Sequence, residues 1–515
     1  MDRNEDVFTS RYLQSCDIPV QPFEAEPFTL VIFGGTGDLS KRKLLPTLFH
    51  LYREKELPQD FSVVAFARST MTDEQFRHLI KEAIQASGEE PFHEAMWTEF
   101  AGHLFYLSGH FEGDEAYLQL RKTLEQPSVF APGMKKNVIY YLAVPPHVTP
   151  LAVGKLKEHH LCRETFHTKI IVEKPFGRDR ASAARLNKVL TDAFDENQVY
   201  RIDHYLGKET VQNIIFFRFS NSIIEHLWDG RHIDNVQITV AEELGIEHRS
   251  AFYEESGVVR DIVQNHLLQL MALVAMEPPI GFEAEFIRDE KRKVFLSILP
   301  MNGEQIDRFT VRAQYGPGKI KGQDVPGYRH EEGVAPDSNT PTFFAAKFHI
   351  ANWRWSGVPF YVRTGKRMAK QVTEIAIQFK QAPLRLFCRT GDALESNILL
   401  LTLQPDEKIS LRFGVKYPYS LNQIYTVTMD FGYREAFKTG FHHPYERLLL
   451  DCMKGDLTLF VREDEIQAMW DVVDPIIVRW EALPTLQFPD YPAGTWGPEA
   501  ADVLIEREGR HWITV

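Results

Sequence analysis

The stretch RIDHYLGKETVQN gathers a carboxylate and two potential cations around a glycine. If the chain is helical from Tyr205 onwards, His204 and Lys208 stand one turn apart on the same side, and Gly207 gives close access to them. Two donors at the start of a helix can bind a phosphate group. Asp203 then points elsewhere and can orient another group. The alternative is a solvated helix start, which is the ordinary meaning of such a pattern when it stands alone.

A lysine follows a predicted strand in the segment VEKPFG. Lys174 lies at the end of this strand, where doubly wound parallel sheets bind their ligands. A lysine before a turn-forming proline needs no function, so the position gains meaning only together with the other candidates. The Lys174–Pro175 bond can be cis or trans on sequence grounds.

One histidine lies within the strongly periodic apolar segment VVRDIVQNHLLQLMALVAME. Its three- and four-residue spacing predicts a helix with one apolar face that includes His266. The other members of this face are Val259, Ile262, Val263 and Leu270. A histidine in such a place is commonly a hydrogen-bonded core residue. Beside carboxylates it is equally suited to be a general base, because those neighbours set its pKa and its tautomer.

The segment GGTGDLS stands where a predicted strand, residues 28–33, enters a predicted helix. Its glycines let the backbone approach a pyrophosphate at the helix N-terminus, where free N–H groups and the helix dipole favour negative charge. The alternative is a tight turn that needs positive φ at Gly34, Gly35 or Gly37. The position between strand and helix favours a dinucleotide.

The end of the second predicted strand indicates which dinucleotide binds. A carboxylate there would bond the ribose 2'-hydroxyl of NAD, and an arginine would accept the 2'-phosphate of NADP. The sequence reads AFARST, with Arg68 followed by Ser69 and Thr70. This pattern favours NADP, and a surface arginine on a loop is the alternative.

The elements that position these residues change character along the chain. Up to about residue 200, apolar strands alternate with helical stretches, which predicts a Rossmann-type, doubly wound parallel sheet. Beyond it, strands follow one another with short turns, which predicts a large, mainly antiparallel sheet with helices on one face. The predicted fold class is therefore α/β plus α+β, with domains at 26–203 and 204–515. A long Gly/Pro-rich connection, residues 315–342, is predicted to be a functional loop or a subunit-contact arm.

Composition limits the kinds of partner. The 515-residue chain has a formal net charge of -13, which argues against a general nucleic-acid binder. Its four cysteines are widely spaced, which fits a reducing cytoplasm and neither a disulfide framework nor a zinc site. The N-terminus lacks the apolar core of a secretory signal, and the longest apolar run is about half of the roughly 20 residues that a membrane span needs. We therefore expect a soluble protein without membrane or nucleic-acid partners.

The residues weighed above match a known family. Over nearly its whole length the chain resembles glucose-6-phosphate dehydrogenase: GGTGDLSKRKLLPTL is similar to the family's nucleotide-binding turn, and RIDHYLGKE to its most specific signature. Further similar segments are YLAVPP, IIVEKPFG, RDIVQNHLLQLMALVAMEPP, RTGKRM, HPYERLLLDCMKGD and YPAGTWGPEAAD, the last of which is more like bacterial members.

This resemblance implies both a layout and an activity. It implies an N-terminal NADP-binding Rossmann domain and a C-terminal substrate-binding domain whose large sheet usually mediates dimerisation, so we expect a homodimer or homotetramer. The implied reaction is oxidation of glucose 6-phosphate to 6-phosphoglucono-1,5-lactone with reduction of NADP, the first step of the oxidative pentose phosphate pathway. That reaction needs no metal.

The resemblance also implies roles for individual residues. It implies that His266 is the general base and that Asp203 is its orienting carboxylate. It implies that His204 and Lys208 bind the phosphate, and that Glu242 and Asp261 bind the sugar hydroxyls. Lys174 would lie between sugar and nicotinamide, and Lys366 near the substrate. The implied cofactor-binding residues are Gly34, Gly35, Thr36, Gly37, Asp38, Leu39, Arg68 and Lys174.

One position departs from the family pattern. Family members commonly carry a second basic residue about five positions after the lysine of TGK, whereas this sequence reads GKRMAKQ. Lys370 therefore stands four positions along and Gln371 five. We include Lys370 among the expected substrate-binding residues, with its role open.

Two other functions fit part of the sequence. Sugar oxidoreductases of the glucose–fructose oxidoreductase type also join a Rossmann domain to an open sheet and use an E-K-P segment, but they need no phosphate clamp. A catalytically silent relative that binds NADP for regulation is the second. Every expected catalytic position holds a competent residue, which argues against silence.

Overall fold

The computed structural model describes residues 26–87, 92–126, 129, 137–162, 167–247, 249–384, 395–419, 423–438, 443–483 and 490–513. The described residues form two compact units. The first consists of the described residues up to Gly177, in Ala184–Lys208 and in Ala436–Glu463. The second consists of those in Arg178–Ala183, in Glu209–Glu435 and from Asp464 on. Within the described ranges, no helix is both long enough and apolar enough to cross a bilayer.

The strands follow one another throughout the chain. In order they are β1 Phe28–Phe33, β2 Phe61–Ala67, β3 Leu104–Ser108, β4 Asn137–Leu142, β5 His167–Glu173, β6 Val199–Ile202, β7 Ile233–Ala241, β8 Thr310–Ala313, β9 Tyr315–Gly316, β10 Gly318–Ile320, β11 Gln323–Val325, β12 Phe343–His349, β13 Pro359–Gly365, β14 Val372–Phe379, β15 Ile398–Gln404, β16 Lys408–Lys416, β17 Ile424–Gly432, β18 Phe460–Val461 and β19 Tyr491–Pro492.

The helices include two segments with π-type hydrogen bonding, Ser40–Leu44 and Val259–Leu267. The α-helices are α1 Leu45–Arg53, α2 Asp73–Ser87, α3 Glu94–Ala101, α4 Asp114–Leu124, α5 Thr149–Glu158, α6 Arg180–Thr191, α7 Glu209–Phe219, α8 Ser222–His226, α9 Ser250–Val258, α10 Leu268–Ala275, α11 Ala284–Ser297, α12 Gly303–Phe309, α13 Tyr433–Phe437, α14 Pro444–Lys454, α15 Glu463–Ala482 and α16 Glu499–Glu506. Short 3-10 turns cover Glu196–Gln198 and Tyr328–His330.

The first unit is built on a sheet that, in the described residues, has seven strands in the order β18-β6-β5-β4-β1-β2-β3. All neighbouring pairs are parallel except β18 with β6. Strands β1, β2 and β4 are buried at every residue, as expected for a sheet covered on both faces. Strand order reverses between β1 and β4, which places a ligand crevice at their carboxyl ends.

The second unit is built on a sheet of the order β17-β16-β15-β14-β7-β13-β12-β8, eight strands in the described part of the chain. Strand β13 runs parallel to β7, and the other neighbours are antiparallel. The predicted fold class is confirmed.

Both faces of the central strands are covered. On β12, Phe344 packs against Trp480 of α15, and Phe343 on the opposite face packs against Tyr491. Helix α16 also contacts β12 and β8. The long connection predicted at residues 315–342 has structure of its own, because β10 and β11 pair as a hairpin and Tyr328 is fully buried.

The division between the units differs from the predicted boundary after residue 203. The first unit continues to Lys208 and regains Ala436–Glu463 from late in the chain. Two interactions account for this return: β18 adds an antiparallel edge strand to β6, and α14 packs on α1. A single boundary in the sequence cannot describe a unit that is built from separate segments of the chain.

Candidate active site

The Gly-rich turn follows β1 at the predicted place. Gly34 has φ of 83°, and its N–H donates to the carbonyl of Phe66 on β2 over 2.8 Å. A Cβ at this position would lie 2.3 Å from the carbonyl oxygen of Ala143, so a side chain cannot be accommodated. Gly37 closes the turn by donating to the carbonyl of Gly34. The turn therefore needs positive φ and also brings bare backbone to the crevice, which suits a pyrophosphate.

The remaining residues of the turn lead directly into the first helix. Thr36 and Leu39 are partly buried, and the exposed carboxylate of Asp38 pairs with Arg42 over 3.0 Å. Ser40 donates its hydroxyl to the carbonyl of Gly34 and so ties the helix start to the turn.

Arg68 is the first residue after β2, and it is exposed. Strand β2 is the parallel neighbour of β1, so both strands end at the same edge of the sheet. The arginine thus stands beside the Gly-rich turn, where a 2'-phosphate lies in a Rossmann-type site.

Lys174 follows β5 at the same edge, and its peptide bond to Pro175 is cis. The preceding residue, Glu173, accepts hydrogen bonds from the phenols of Tyr141 and Tyr445, at 2.5 Å and 3.1 Å. The lysine therefore emerges next to a carboxylate that is fixed from two sides.

The RIDHYLGKE segment forms turns, and the prediction of a helix from Tyr205 is wrong. Helix α7 begins only at Glu209. Asp203, 1% exposed, accepts the N–H of Tyr205 at its Oδ1 over 3.0 Å and so caps the turn. Its side chain competes for that N–H, which is typical of Asp at turns. His204 and Lys208 both lie in this turn region, outside a regular helix. The ammonium of Lys208 lies 4.0 Å from the centre of the Tyr205 ring.

The start of α14 packs against this segment and supplies groups that the sequence reasoning missed. A Cβ at Gly207 would lie 2.6 Å from the carbonyl oxygen of Pro444, so the glycine permits the contact. His443 lies before the helix with its Nε2 3.1 Å from Nζ of Lys43, in the turn-to-helix segment after β1. No local sequence signal predicts that residue 443 meets residue 43.

The second unit contributes the π-helix Val259–Leu267, which carries Asp261 and His266. Asp261 is 5% and His266 1% exposed. The i→i+5 hydrogen bonding of a π-helix brings residues five apart onto nearly the same side, whereas an α-helix would separate them; such segments are frequent at functional sites.

The predicted apolar face of this helix is buried. Every other residue of the segment except the partly buried Arg260 is buried as well, polar residues included. The buried polar residues are Gln264, Asn265 and, in α10, Gln269. Asn265 accepts the backbone N–H of His266 at its Oδ1.

Two carboxylates and a lysine form an ionic group in the same unit, in which Lys366 and Asp261 are buried and Glu242 is 31% exposed. Lys366, 2% exposed, donates to Glu242 over 2.6 Å and lies 3.8 Å from Asp261. The ring of Tyr253 lies 5.1 Å from its ammonium. Burial strongly raises the pKa of the Tyr253 phenol, and the Asp261 charge adds to the rise. The phenol therefore stays neutral beside this group.

Lys370 is partly buried just before β14. Its charge is one of those that lower the pKa of Glu374, although burial raises that pKa overall. Lys370 therefore acts on a buried carboxylate of β14.

One cluster in the first unit has the composition of a metal site. Ligand atoms of Asp114, Glu158 and His159 lie within 4.8 Å of one another. Lys155 already binds both carboxylates, at 2.5 Å and 2.8 Å. Its ammonium neutralises them, so we assign no metal there.

Each unit thus carries one kind of chemistry. The first offers a backbone turn and basic side chains at one sheet edge, which suit a dinucleotide phosphate and a second anion. The second offers carboxylates, an ammonium group and an imidazole, which suit sugar hydroxyls and proton transfer.

Comparison with known protein families covers almost the whole chain. Residues 31–213 match the model of the glucose-6-phosphate dehydrogenase NAD binding domain, and residues 215–513 match that of the glucose-6-phosphate dehydrogenase C-terminal domain.

Individual relatives agree with this match. A glucose-6-phosphate 1-dehydrogenase of Chlamydia pneumoniae is 43% identical over 500 residues, which cover 95% of this chain and 97% of that protein. One from Rhizobium meliloti (strain 1021) is 43% identical over 497 residues, covering 96% and 99%. A solved structure of a glucose-6-phosphate dehydrogenase with its substrate glucose 6-phosphate superposes with a TM-score of 0.86 at 34% identity, covering 96% of this chain and all of the other.

Proposed function

The chain belongs to the glucose-6-phosphate dehydrogenase family, and we infer that it oxidises D-glucose 6-phosphate to 6-phospho-D-glucono-1,5-lactone while NADP is reduced to NADPH. This is the first step of the oxidative pentose phosphate pathway. One observation on this chain's own residues supports the inference. His266 is buried on a π-helix that also bears Asp261, and Asp261 lies beside the ammonium of Lys366.

We propose that His266 is the general base. Oxidation of the hemiacetal carbon requires loss of the C1-hydroxyl proton as hydride leaves for the nicotinamide, which supplies the hydride acceptor when bound. A neutral imidazole is suited to take that proton near neutral pH. We assign Asp203 as the carboxylate that orients the ring and stabilises the imidazolium, the role of carboxylates in Asp–His pairs.

The sugar phosphate is assigned to His204 and Lys208. The turn around Gly207 holds both side chains without a regular helix, and Lys208 keeps its ammonium over an aromatic ring. Charge-assisted bonds from two cationic donors suit a phosphate dianion. A substrate without the phosphate would leave these donors without their anion.

The sugar hydroxyls are assigned to Glu242 and Asp261, with Lys366 near the substrate and Lys174 between sugar and nicotinamide. Carboxylates accept hydrogen bonds from hydroxyls, and the Lys366 ammonium lies beside both of these carboxylates. Lys370 is also assigned to substrate binding, and its charge lowers the pKa of the buried Glu374 on β14 against the effect of burial.

NADP is assigned to the Gly-rich turn, Gly34 to Leu39, and to Arg68. The absence of room for a Cβ at Gly34 fits close approach of a pyrophosphate, and the exposed guanidinium of Arg68 suits the 2'-phosphate. The first unit is thus proposed as the cofactor-binding domain and the second as the substrate and dimerisation domain.

The test is an absorbance assay for NADPH with glucose 6-phosphate and, separately, free glucose. We expect turnover to depend strongly on the phosphate. Equal turnover of free glucose would support a sugar oxidoreductase of the glucose–fructose oxidoreductase type. Absence of NADPH formation by folded protein that binds NADP would support a silent relative. The family match favours neither alternative.

We also propose that two copies associate through the face of β16 and β17. The paired positions Ile409 and Phe431, Leu411 and Met429, Phe413 and Val427, and Val415 and Tyr425 all lie on one face. On the edge strand β17, Tyr425, Met429 and Phe431 are between 42% and 59% exposed. An apolar face of this extent, on the strand that forms the sheet edge in the described part of the chain, suits a second copy of the same sheet.

The oligomer is tested by sedimentation. Met429→Glu is expected to weaken self-association, and Val478→Glu, at an equally exposed apolar residue of α15, is expected to leave it unchanged. Equal self-association of the two variants would contradict this interface.

A cytoplasmic location is proposed from the widely spaced cysteines.

A further inference from the structure

Glu173 lies at the centre of a hydrogen-bonded group within the first unit. Tyr141 on β4 donates to its Oε1 over 2.5 Å, and Tyr445 on α14 donates to the same oxygen over 3.1 Å. Tyr141 is fully buried, and Tyr445 is 9% exposed. The next residue after this carboxylate is Lys174, so two distant elements converge on the residue that precedes a proposed active-site lysine.

Several charged and titratable groups surround the Glu173 carboxyl. Burial raises its pKa, and the charge of Asp203 adds to the rise. The two phenols and the charge of Lys174 lower it. Burial raises the pKa of Tyr445, and the charges of Glu173 and Asp203 add to that rise. The two phenols and the Lys174 charge thus oppose the rise that burial causes in the pKa of Glu173.

We propose that Tyr141 and Tyr445 are positioning residues for the reaction, which act through Glu173 to hold a negative charge beside Lys174 and so fix that lysine's orientation. The inference rests on the proposed function, which places Lys174 between the sugar and the nicotinamide. Neither tyrosine touches the reacting atoms in this scheme. Their effect passes through one carboxylate.

Helix α14 is the element that makes this arrangement possible. Its first residues also pack on Gly207 and bring His443 to Lys43, so one helix start contacts three segments of the first unit's site. Tyr445 therefore comes from a rigid element, a helix end whose backbone N–H groups are themselves bonded to His443. Such support restricts the rotamers of a positioning side chain.

The proposal predicts a direction for pH dependence. Removing one phenol takes away a donor to the carboxylate, so the pKa of Glu173 rises further and its neutral form persists to higher pH. Lys174 then loses its neighbouring anion over that range and is no longer held in one orientation. The acidic limb of kcat/KM should therefore move to higher pH by about one unit in Tyr445→Phe.

The chain offers a closely matched control on the same strand. Tyr140 is also fully buried, and its hydroxyl donates to the carbonyl of Leu161 over 2.7 Å. Because side chains alternate along a strand, it points to the opposite face from Tyr141. Tyr140→Phe thus removes a buried tyrosine hydroxyl and its hydrogen bond without touching Glu173.

The experiment compares wild type, Tyr445→Phe, Tyr141→Phe, Tyr140→Phe and Glu173→Gln in the full chain. Steady-state pH profiles with glucose 6-phosphate and NADP are measured beside thermal midpoints. We expect kcat/KM at pH 7 to fall about tenfold in the first two variants, with the shifted acidic limb, and Tyr140→Phe to keep the wild-type profile. In a Glu173→Gln background, Tyr445→Phe should move the profile no further, because the group that titrates is gone.

A second readout is independent of turnover. The rate at which acetic anhydride modifies Lys174, followed by mass spectrometry against the exposed Lys188, should rise several-fold at pH 7 in Tyr445→Phe and Glu173→Gln and stay unchanged in Tyr140→Phe. If Tyr445→Phe matches Tyr140→Phe in both the pH profile and Lys174 reactivity, the positioning role is wrong. If wild type does not oxidise glucose 6-phosphate, the proposed function fails, and the reactivity of Lys174 alone decides the coupling through Glu173.

Discussion

Lys366 donates a hydrogen bond to Glu242 across 2.6 Å while the lysine itself is 2% exposed. The ammonium also stands 3.8 Å from Asp261 on the π-helix, so one cation serves two carboxylates from different elements. Such a group holds the proposed sugar-binding carboxylates in place before any ligand arrives.

Loss of this ammonium should lower stability as well as substrate binding. Lys366→Met keeps the length of the side chain but removes the charge that Glu242 and Asp261 share, and removing the cation of a buried pair such as Lys366 with Asp261 costs about 3 kcal/mol. Thermal melting measures the loss. Lys319→Met is the control, because that lysine is 69% exposed in a pair of 3.7 Å and should shift the midpoint little. Equal midpoints for the two variants would contradict the prediction.

Arg68 should set the choice of cofactor. A guanidinium can hold the 2'-phosphate that NAD lacks, so Arg68→Ala should weaken NADP binding about tenfold or more and leave NAD almost unaffected. Direct titration of both cofactors measures this. Equal losses for NADP and NAD would mean that the residue is structural.

Lys208 should act on the phosphorylated substrate alone. Lys208→Ala removes a charge-assisted hydrogen bond of about 1.5–3 kcal/mol, so kcat/KM for glucose 6-phosphate should fall by one to two orders of magnitude. The value for free glucose should change little, and Lys188→Ala, on the exposed side of α6, should change neither. An unaltered preference for the phosphorylated sugar would refute the clamp.

His266→Asn should separate binding from chemistry. Asparagine keeps a hydrogen-bonding side chain but accepts no proton usefully at neutral pH, so turnover should drop by roughly 10²–10⁴ while glucose 6-phosphate still binds. Asp203→Asn should lower turnover less, because the imidazole remains. Steady-state kinetics, substrate titration and a melting curve check this, and near-normal turnover in folded His266→Asn protein would overturn the mechanism.

Asp451 on α14 should make stability depend on pH. Burial raises the pKa of this carboxyl to about 7 despite its bond to Arg447. Because the folded pKa exceeds the ordinary value of 3.8, the folded state binds the proton more tightly, and stability is lost as pH rises from about 4 through 7. Asp451→Asn has no carboxyl to titrate, so it does not lose this stability. Its free energy of unfolding, relative to that of wild type, should therefore rise by about 3 kcal/mol between pH 5 and pH 8.

Melting curves at the two pH values measure that change. Asp192→Asn is the matched control, because this carboxylate also follows a basic helix partner by four residues but is 46% exposed. The difference in free energy of unfolding between Asp192→Asn and wild type should be the same at both pH values. An Asp451→Asn advantage that does not change with pH would show that the buried carboxyl keeps its ordinary pKa.

Local patterns predicted the parts of the site that depend on neighbours in sequence. The turn at Gly34 and the arginine after β2 follow from a strand that ends where a parallel sheet binds phosphate, and the structure has both. The helix predicted from Tyr205 failed because Asp203 competes for a backbone N–H, a choice between two local hydrogen bonds that spacing alone does not decide.

The contacts that sequence could not predict join residues far apart. Tyr445 and Glu173 are separated by 272 positions, and Lys43 and His443 by 400. The π-helix was also missed, because apolar periodicity of three and four residues describes an α-helix and carries no signal for a wider turn. Because all of its residues except Arg260 are buried, the segment has no exposed polar face of the kind that an amphipathic helix shows.

The return of Ala436–Glu463 to the first unit has a consequence for biosynthesis. A ribosome that has released residues up to Lys208 has not yet made β18 or α14, which come about 250 residues later. At roughly 5–20 residues per second, synthesis of these residues takes about 10–50 seconds. During that time the nascent nucleotide-binding sheet has β6 as an uncovered edge, and Glu173 lacks its contact with Tyr445. Completion of the first unit is therefore tied to translation of nearly the whole second one, and a protein truncated before residue 436 should leave both units unfinished.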